Sequence, residues 1–219
     1  MVLVIDSRAR VGFVAAKRAG EVAVLYPRDP ARPLADLGER SAELLSRFGD
    51  PAGVGVITGP GGVVAVRGGV AFARAFAMVR SLPAVPVTVF DAVEASVDRR
   101  GAPLAVIEPL GRGHVAVAAY GFSALPHEPK VSPRGEFYAE GGLVAGSATA
   151  EGSFGGLATG IYAPDPEALL GLVASRLAAG TTVAPEDLFP LYMRDAAARR
   201  SFEVRGEDGV IVRVGEGKV

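Results

Sequence analysis

Apolar residues form short strand-like runs through the first ninety residues of the chain. Three of these runs, at residues 2–6, 11–18 and 21–26, are rich in β-branched residues and separated by short breaks, which predicts an antiparallel meander. Two later runs, at 53–59 and 86–90, have almost no polar alternation, as expected for strands that are covered on both faces. The pattern therefore predicts five strands in this part of the chain.

Helical periodicity fills the gaps between these strands. Residues 34–48 carry an apolar stripe opposite charged residues, residues 63–81 are apolar almost all round, and residues 91–100 begin at an expected cap, Asp91. The order of three strands, helix, strand, helix, strand, helix predicts an α/β half-domain of the actin-like ATPase (ribonuclease H-like) fold. We place this half-domain at residues 1–98.

The pattern weakens after residue 100. A hairpin is predicted over 103–122, residues 126–160 are rich in Gly, Pro and Ser, and one clear helix is predicted over 165–180. These features predict a reduced second half-domain at 99–198 with one long helix. The tail, 199–219, has the pattern of one more hairpin, with its turn at Asp208-Gly209.

The helix predicted at 63–81 has two apolar stripes. They are Val66, Val70, Ala73 and Ala77 on one side, and Phe72, Phe76 and Val79 nearly opposite. A helix that is apolar nearly all round must be covered on both sides. Two coverings remain open at this point: elements of the same chain cover both stripes, or one stripe meets another protein.

Composition narrows the function classes. The chain is 49% hydrophobic with a net charge of −1, so it can bury a large core and has no basic surface suited to nucleic acid or membrane. It has no cysteine, no spanning apolar run and no secretory signal, which predicts a soluble cytoplasmic protein. The absence of Asn and Gln, with 20 Arg against 3 Lys, fits a thermophile and a GC-rich genome equally well.

The glycine-rich turn at 59–62 raises the question of phosphate binding. A Walker loop needs a Lys and a hydroxyl residue, and residues 59–70 contain neither. Pro60 also removes one amide donor, so a structural turn is favoured. The two histidines, His114 and His127, form no i, i+4 pair, and we expect no metal site.

Asp6, at the end of the first predicted strand, is a second candidate for chemistry. In actin-like ATPases an acid at this strand end orients a metal-bound water, together with a second acid and a phosphate loop in the later half. Glu108 has no partner that spacing identifies. We therefore favour the interpretation that Asp6 caps the strand end beside Arg8 and Arg10, and we predict no catalytic residue.

Three motifs resemble the TsaB (YeaZ) family. They are "LVIDS" at 3–7, "GPGGVVAVRGGVAFARAF" at 59–76 and "PLYMR" at 190–194. The residues that match the family pattern are Asp6, Ser7, Gly59, Pro60, Gly61, Arg67, Gly69, Pro190, Tyr192 and Arg194. The chain departs from the pattern at 62–65, where two hydroxyls and an aromatic ring are lost, and at Arg8, where the family has Ser.

The resemblance implies a non-catalytic subunit without a cofactor. Such proteins pair with a TsaD-type subunit that carries the metal and the active site. With a TsaE-type ATPase, that pair transfers threonylcarbamoyl to adenosine 37 of tRNA, and tRNA is met only through the complex. Alone, these proteins form homodimers through the same surface.

On this basis we expect two sets of site residues. The partner interface is expected at Leu37, Ser41, Leu45, Arg67, Val70, Ala73, Arg74 and Ala77. A vestigial nucleotide-site loop is expected at Asp6, Ser7, Gly59, Pro60 and Gly61. Substitution of Val70 by Glu is expected to break the partner complex and leave the monomer folded.

Two other functions remain open. One is a nucleotide-dependent enzyme of the same superfamily, such as a small-molecule kinase. The other is a diverged paralogue that keeps the fold and has lost the modification role, which the altered 62–65 segment would fit.

Overall fold

A computed structural model describes residues 1–111, 113–122, 128–139 and 141–193, and the backbone of two further strands at 201–205 and 211–215. Five strands form the first sheet: β1 (Val2–Asp6), β2 (Phe13–Arg18), β3 (Glu21–Leu25), β4 (Val54–Gly59) and β5 (Ala84–Thr88). Their order is β3-β2-β1-β4-β5. The first three strands are antiparallel, and β1, β4 and β5 are parallel, as their crossover helices require.

Five strands also form the second sheet: β6 (Leu104–Gly111), β7 (His114–Tyr120), β8 (Lys130–Pro133), β9 (Leu143–Ala145) and β10 (Leu157–Ala158). Their order, β8-β7-β6-β9-β10, and their directions repeat those of the first sheet. A short 3-10 helix, Ser147–Glu151, follows β9 at the place where the first half has a long helix. The second half is therefore a reduced copy of the first, and the fold predicted from the sequence is confirmed.

In the described part of the chain, four helices complete the layers: α1 (Leu37–Phe48), α2 (Val63–Arg80), α3 (Val89–Ala95) and α4 (Pro166–Ala178). Helices α1 and α2 pack on the outer face of the first sheet. Helices α3 and α4 lie between the two sheets, where Phe90, Leu169 and Val173 are buried against residues of both. Among the described residues, no helix is long and apolar enough to cross a membrane.

The start of α3 differs from the prediction. The helix begins one turn earlier than expected, and its cap is Thr88, whose Oγ1 accepts a hydrogen bond from the Asp91 backbone N–H at 3.1 Å. Asp91 therefore lies inside the first turn. The sequence predicts Val89 and Phe90 as the end of a strand, but they form the first turn of α3, where both are buried. A short apolar run is compatible with a buried strand or with a buried helical turn, so the pattern alone does not distinguish them.

The C-terminal tail contains the predicted pair of strands. Strand β11 (Ser201–Arg205) pairs with β12 (Ile211–Gly215) in antiparallel register. The expected turn at Asp208-Gly209 lies outside the described residues, as do Arg112 and His127. The domain boundaries at residues 98 and 198 stay predictions.

Candidate functional site

The turn at 59–62 connects β4 to α2 and faces the second half of the molecule. Gly59 has a φ of 120° and the Gly59-Pro60 peptide bond is cis. A Cβ on Gly61 would lie 2.9 Å from the Val66 side chain and 3.1 Å from Cγ of Arg8. The glycine at 61 therefore lets the turn close over the Arg8 side chain.

Asp6, at the end of β1, forms an ion pair with the side chain of Arg8. Its carboxylate accepts hydrogen bonds from Arg8 Nη2 at 2.7 Å and from Arg8 Nε at 3.0 Å, and both side chains are buried. The Arg8 backbone N–H also donates to Asp6 at 3.0 Å. Such a bidentate pair fixes both side chains and occupies both carboxylate oxygens. The interpretation of Asp6 as an acid beside Arg8 is thus the one the contacts support, whereas Arg10 is exposed.

Ser7 has a packing role at the base of α2. Its hydroxyl donates a hydrogen bond to the Ala65 carbonyl oxygen at 2.8 Å, and the residue is 1% exposed. A Cβ on Gly69 would lie only 2.0 Å from the Ser7 hydroxyl oxygen, so α2 can approach β1 this closely only with glycine at that position.

Glu108 is a buried acid for which the sequence suggested no partner. It lies in β6, and its carboxylate accepts hydrogen bonds from the backbone N–H of Ser147, at 3.0 Å, and from the Ser147 hydroxyl. Burial raises the pKa of Glu108, and the charge of Arg8 and the bonds from Ser147 oppose that rise only in part. Spacing could not reveal this pair, because the parallel pairing of β6 with β9 brings together residues 39 positions apart.

An open cleft of about 440 Å³ separates the 59–62 turn from the β6–β7 hairpin. It is lined by Pro60, Gly61, Gly62, Val63, Pro109, Leu110, Leu191, Tyr192 and Met193. These residues are apolar or glycine except for Tyr192. The described part of the lining therefore contributes no charged side chain that could hold a phosphate group.

No group of three or more metal-ligating side chains occurs among the described residues. His114 is half-buried at the start of β7, opposite Gly111. Neither the described part of the cleft nor the Asp6–Arg8 pair thus offers a ligand set for a metal ion.

Helix α2 turns its first apolar stripe toward the sheet. Val70, Ala73 and Ala77 are 0–2% exposed and pack against residues of β1 and β4. In α1, Leu37 and Ser41 are equally buried, and the Ser41 hydroxyl donates to the Leu37 carbonyl oxygen. These five residues, expected at the partner interface, belong to the core of the chain and present no surface to a partner.

The second apolar stripe is only partly exposed: Phe72 and Phe76 are half-buried and pack against the core, whereas Val79 is exposed. The face beside them is open to solvent. We call Val64, Ala71, Ala75, Met78 and Val79 the outer face of α2. All five are exposed, Val64 by 79% and Val79 by 86%. Helix α2 contains no acidic residue, and Arg67 and Arg74 lie along one edge of this face, three or four positions from Val64, Ala71 and Met78. The result is an apolar surface that extends from the first turn to the last turn of an 18-residue helix.

A short segment flanks the outer face and carries two exposed aromatic rings. Leu188 is buried in the core, and the Leu191 backbone N–H donates to the Thr58 carbonyl oxygen at 2.8 Å. Between and beyond these anchors, Phe189 lies against Arg74 and Tyr192 lies against Arg67. Of the eight expected interface residues, Arg67, Arg74 and Leu45 therefore remain at least partly exposed. Arg194 lies outside the described residues.

Comparisons with known proteins bear on the fold. No protein-family model matches the sequence, and no curated protein matches it. A solved structure described as an uncharacterized protein with similarity to peptidase YeaZ from Pseudomonas aeruginosa superposes with a TM-score of 0.74 at 20% identity, covering 88% of this chain and 99% of that one. The structure described as YeaZ from Pseudomonas aeruginosa gives 0.71 at 21% identity, covering 87% and 98%. This chain has the fold of these proteins over nearly their whole length.

Proposed function

We propose that this chain is a non-catalytic subunit of a cytoplasmic tRNA-modifying complex. In this proposal it pairs with a TsaD-type transferase that installs threonylcarbamoyl on adenosine 37 of tRNA, with a TsaE-type ATPase as the third protein. The chain binds no cofactor of its own and meets tRNA only within the complex. The premise is the fold shared with the YeaZ structures together with the TsaB-like motifs.

The single observation that carries the proposal is the outer face of α2. Monomeric proteins seldom leave several neighbouring apolar side chains exposed on one helix, and larger patches of this kind mark interaction sites. Here the exposed residues are Val64, Met78 and Val79, with Ala71 and Ala75 between them. The small side chains at 71 and 75 allow a partner helix to approach closely.

The flanks of this face have the chemistry of a protein interface. Arg67 Nε donates a hydrogen bond to the Tyr192 hydroxyl at 2.6 Å, and the Arg74 guanidinium lies 5.4 Å from the centre of the Phe189 ring. Arginine and aromatic residues are enriched at interfaces and carry much of their binding energy. These side chains already hold each other in place. Their ordering on binding would therefore cost less conformational entropy.

The cleft supports a non-catalytic role over an ATP-using one. Both oxygens of Asp6 accept hydrogen bonds from Arg8, so this carboxylate is already neutralised by the chain's own guanidinium. The described cleft lining is apolar, as given above. A kinase would need groups that bind phosphate and metal in that place.

The proposal is tested by co-purification of this chain with the TsaD-type protein of the same genome. The variant is Ala71→Glu, which puts a carboxylate in the middle of the outer face and leaves the fold intact. We expect the complex to weaken by about 2 kcal/mol or more, roughly thirtyfold in Kd, because the carboxylate is desolvated without a partner. The threonylcarbamoylation of tRNA by the complex should fall accordingly.

The matched control is Ala158→Glu, the same change at an exposed residue of β10 in the second sheet, outside the outer face of α2. This variant should bind as the wild type does. Full retention of the complex by Ala71→Glu on a sizing column would remove the outer face from the proposal. Light scattering adds a second readout, since the wild type alone should be a dimer and Ala71→Glu a monomer.

A further inference from the structure

A second pocket, which shares no lining residue with the cleft or with the outer face of α2, lies where α3, α4 and the end of β7 meet. We call it the α3–α4 pocket. It is an open depression with a volume of about 420 Å³. It is lined by Asp91, Glu94, Arg99, Tyr120, Gly121, Leu172 and Arg176. Five of these seven residues have polar or charged side chains that converge on one opening.

One side of the pocket is held rigidly by Asp91. One of its carboxylate oxygens accepts from the Tyr120 hydroxyl at 3.0 Å, and the other accepts from Arg176 Nη2 at 2.8 Å. Arg176 is oriented further because its Nη1 donates to the Pro86 carbonyl oxygen at 2.9 Å. Burial and the neighbouring Asp91 charge raise the pKa of Tyr120, which keeps its phenol protonated as a donor.

The other side of the pocket is formed by a second ion pair. Arg99 Nη2 lies 3.2 Å from Glu94 Oε1, with both side chains about 30% exposed. The Arg99 guanidinium also lies 5.9 Å from the centre of the Tyr120 ring, so it is held over an aromatic face. A guanidinium has five N–H donors, and a carboxylate accepts several hydrogen bonds. The pair to Glu94 therefore leaves donor and acceptor capacity directed at the opening.

The charges of the pocket define the class of ligand. Two guanidinium groups and two carboxylates sum to zero, so the site gives no net attraction to a polyanion such as a nucleotide. A molecule that carries one negative and one positive group can be met by Arg99 and Glu94 at once. Leu172 and the Tyr120 ring add an apolar wall for a side chain. We propose that the α3–α4 pocket binds a small zwitterion of the α-amino acid type, with its carboxylate at Arg99 and its ammonium at Glu94.

The experiment uses the full chain with L-leucine as the probe. Binding of leucine at millimolar concentration is measured by saturation-transfer NMR. Two blocked analogues serve as controls: N-acetyl-L-leucine lacks the ammonium group, and L-leucinamide lacks the carboxylate. We expect leucine to bind, and each analogue to bind at least about tenfold more weakly, because each analogue lacks the charged group that would pair with Glu94 or with Arg99.

Two variants locate the binding. Arg99→Met keeps the length of the side chain and removes its charge, and Glu94→Gln removes the opposite charge; both sites are partly exposed, so the fold is retained. Each should abolish the leucine signal, whereas Arg32→Met, at an exposed residue of another region, should not. The proposal is overturned if leucine gives no signal with the wild type, if the blocked analogues bind equally well, or if Arg99→Met binds as the wild type does. These outcomes are independent of the partner face, which the pocket does not include.

Discussion

At the scale of single residues, the boundary between the two halves is governed by buried charge. Asp6 and Arg8 compensate each other within β1 and the following loop, while Glu108 is held by Ser147 in the second half. A buried carboxylate without such partners would cost several kcal/mol. The three charged side chains are therefore tolerated because each has a hydrogen-bonding partner, which makes them structural elements of the boundary.

The first prediction concerns Glu108→Gln. Because burial raises the folded-state pKa of Glu108, the folded protein holds this proton more tightly than the unfolded chain does. The wild type should then lose free energy of unfolding as pH rises from the ordinary carboxyl value near 4.5 through the raised pKa. Gln does not titrate, so the Tm difference in favour of the variant should grow from pH 4 to pH 8.

Thermal unfolding followed by circular dichroism across this range measures the effect. The control is Glu136→Gln, the same chemical change at an exposed carboxylate. A Tm difference between Glu108→Gln and wild type that stays constant with pH would show that the buried carboxyl does not couple to folding.

At the scale of elements, hydrophobic periodicity predicts that α2 is a helix but does not predict how the helix is oriented against the sheet. The sequence correctly predicted the helix and its two-sided apolar character. It did not show which stripe packs on the sheet, because both stripes are apolar and periodicity does not reveal what lies next to each of them. The stripe of Val70, Ala73 and Ala77, on which the sequence predicts the interface, is the one that the sheet covers. The orientation of α2 is set by its packing against the first sheet and α1.

Two adjacent residues of α2 should differ sharply in their response to the same substitution. Val70→Glu places an unpaired carboxylate in the core and should destabilise the chain by at least about 4 kcal/mol. Ala71→Glu lies on the outer face and should change stability by no more than about 0.5 kcal/mol. Urea unfolding measures both. A folded, stable Val70→Glu monomer would contradict this orientation of α2 and would indicate that the stripe of Val70 faces away from the core.

At the scale of the whole molecule, the two sheets repeat one topology and are joined through the shared layer of α3 and α4. Helix α4 follows the second sheet in sequence but also packs on the first, where Val173 lies over β4. A Cβ on Gly55 would come within 2.4 Å of the Val173 side chain. The absence of a side chain at Gly55 thus allows the second half to pack closely against the first.

The prediction at this scale compares two glycine substitutions. Gly55→Ala should destabilise the protein by about 1–3 kcal/mol through overpacking against Val173. Gly171→Ala, on an open side of α4, should instead stabilise it by roughly 0.5–1 kcal/mol, because alanine is a better helix former. The free energies of unfolding in urea test both signs. Equal effects for the two variants would mean that α4 does not pack on β4 as described.

The sequence by itself determined the strands of the first half, the four helices and the element order that identifies the fold. These are local properties: hydrophobic periodicity, turn residues and caps act over a few positions. Only the tertiary structure decided that Glu108 meets Ser147, that Arg8 neutralises Asp6 beneath Gly61, and which side of α2 remains exposed. Those outcomes depend on which elements lie side by side, and residues far apart in the chain carry no signal of their proximity until the sheets have formed.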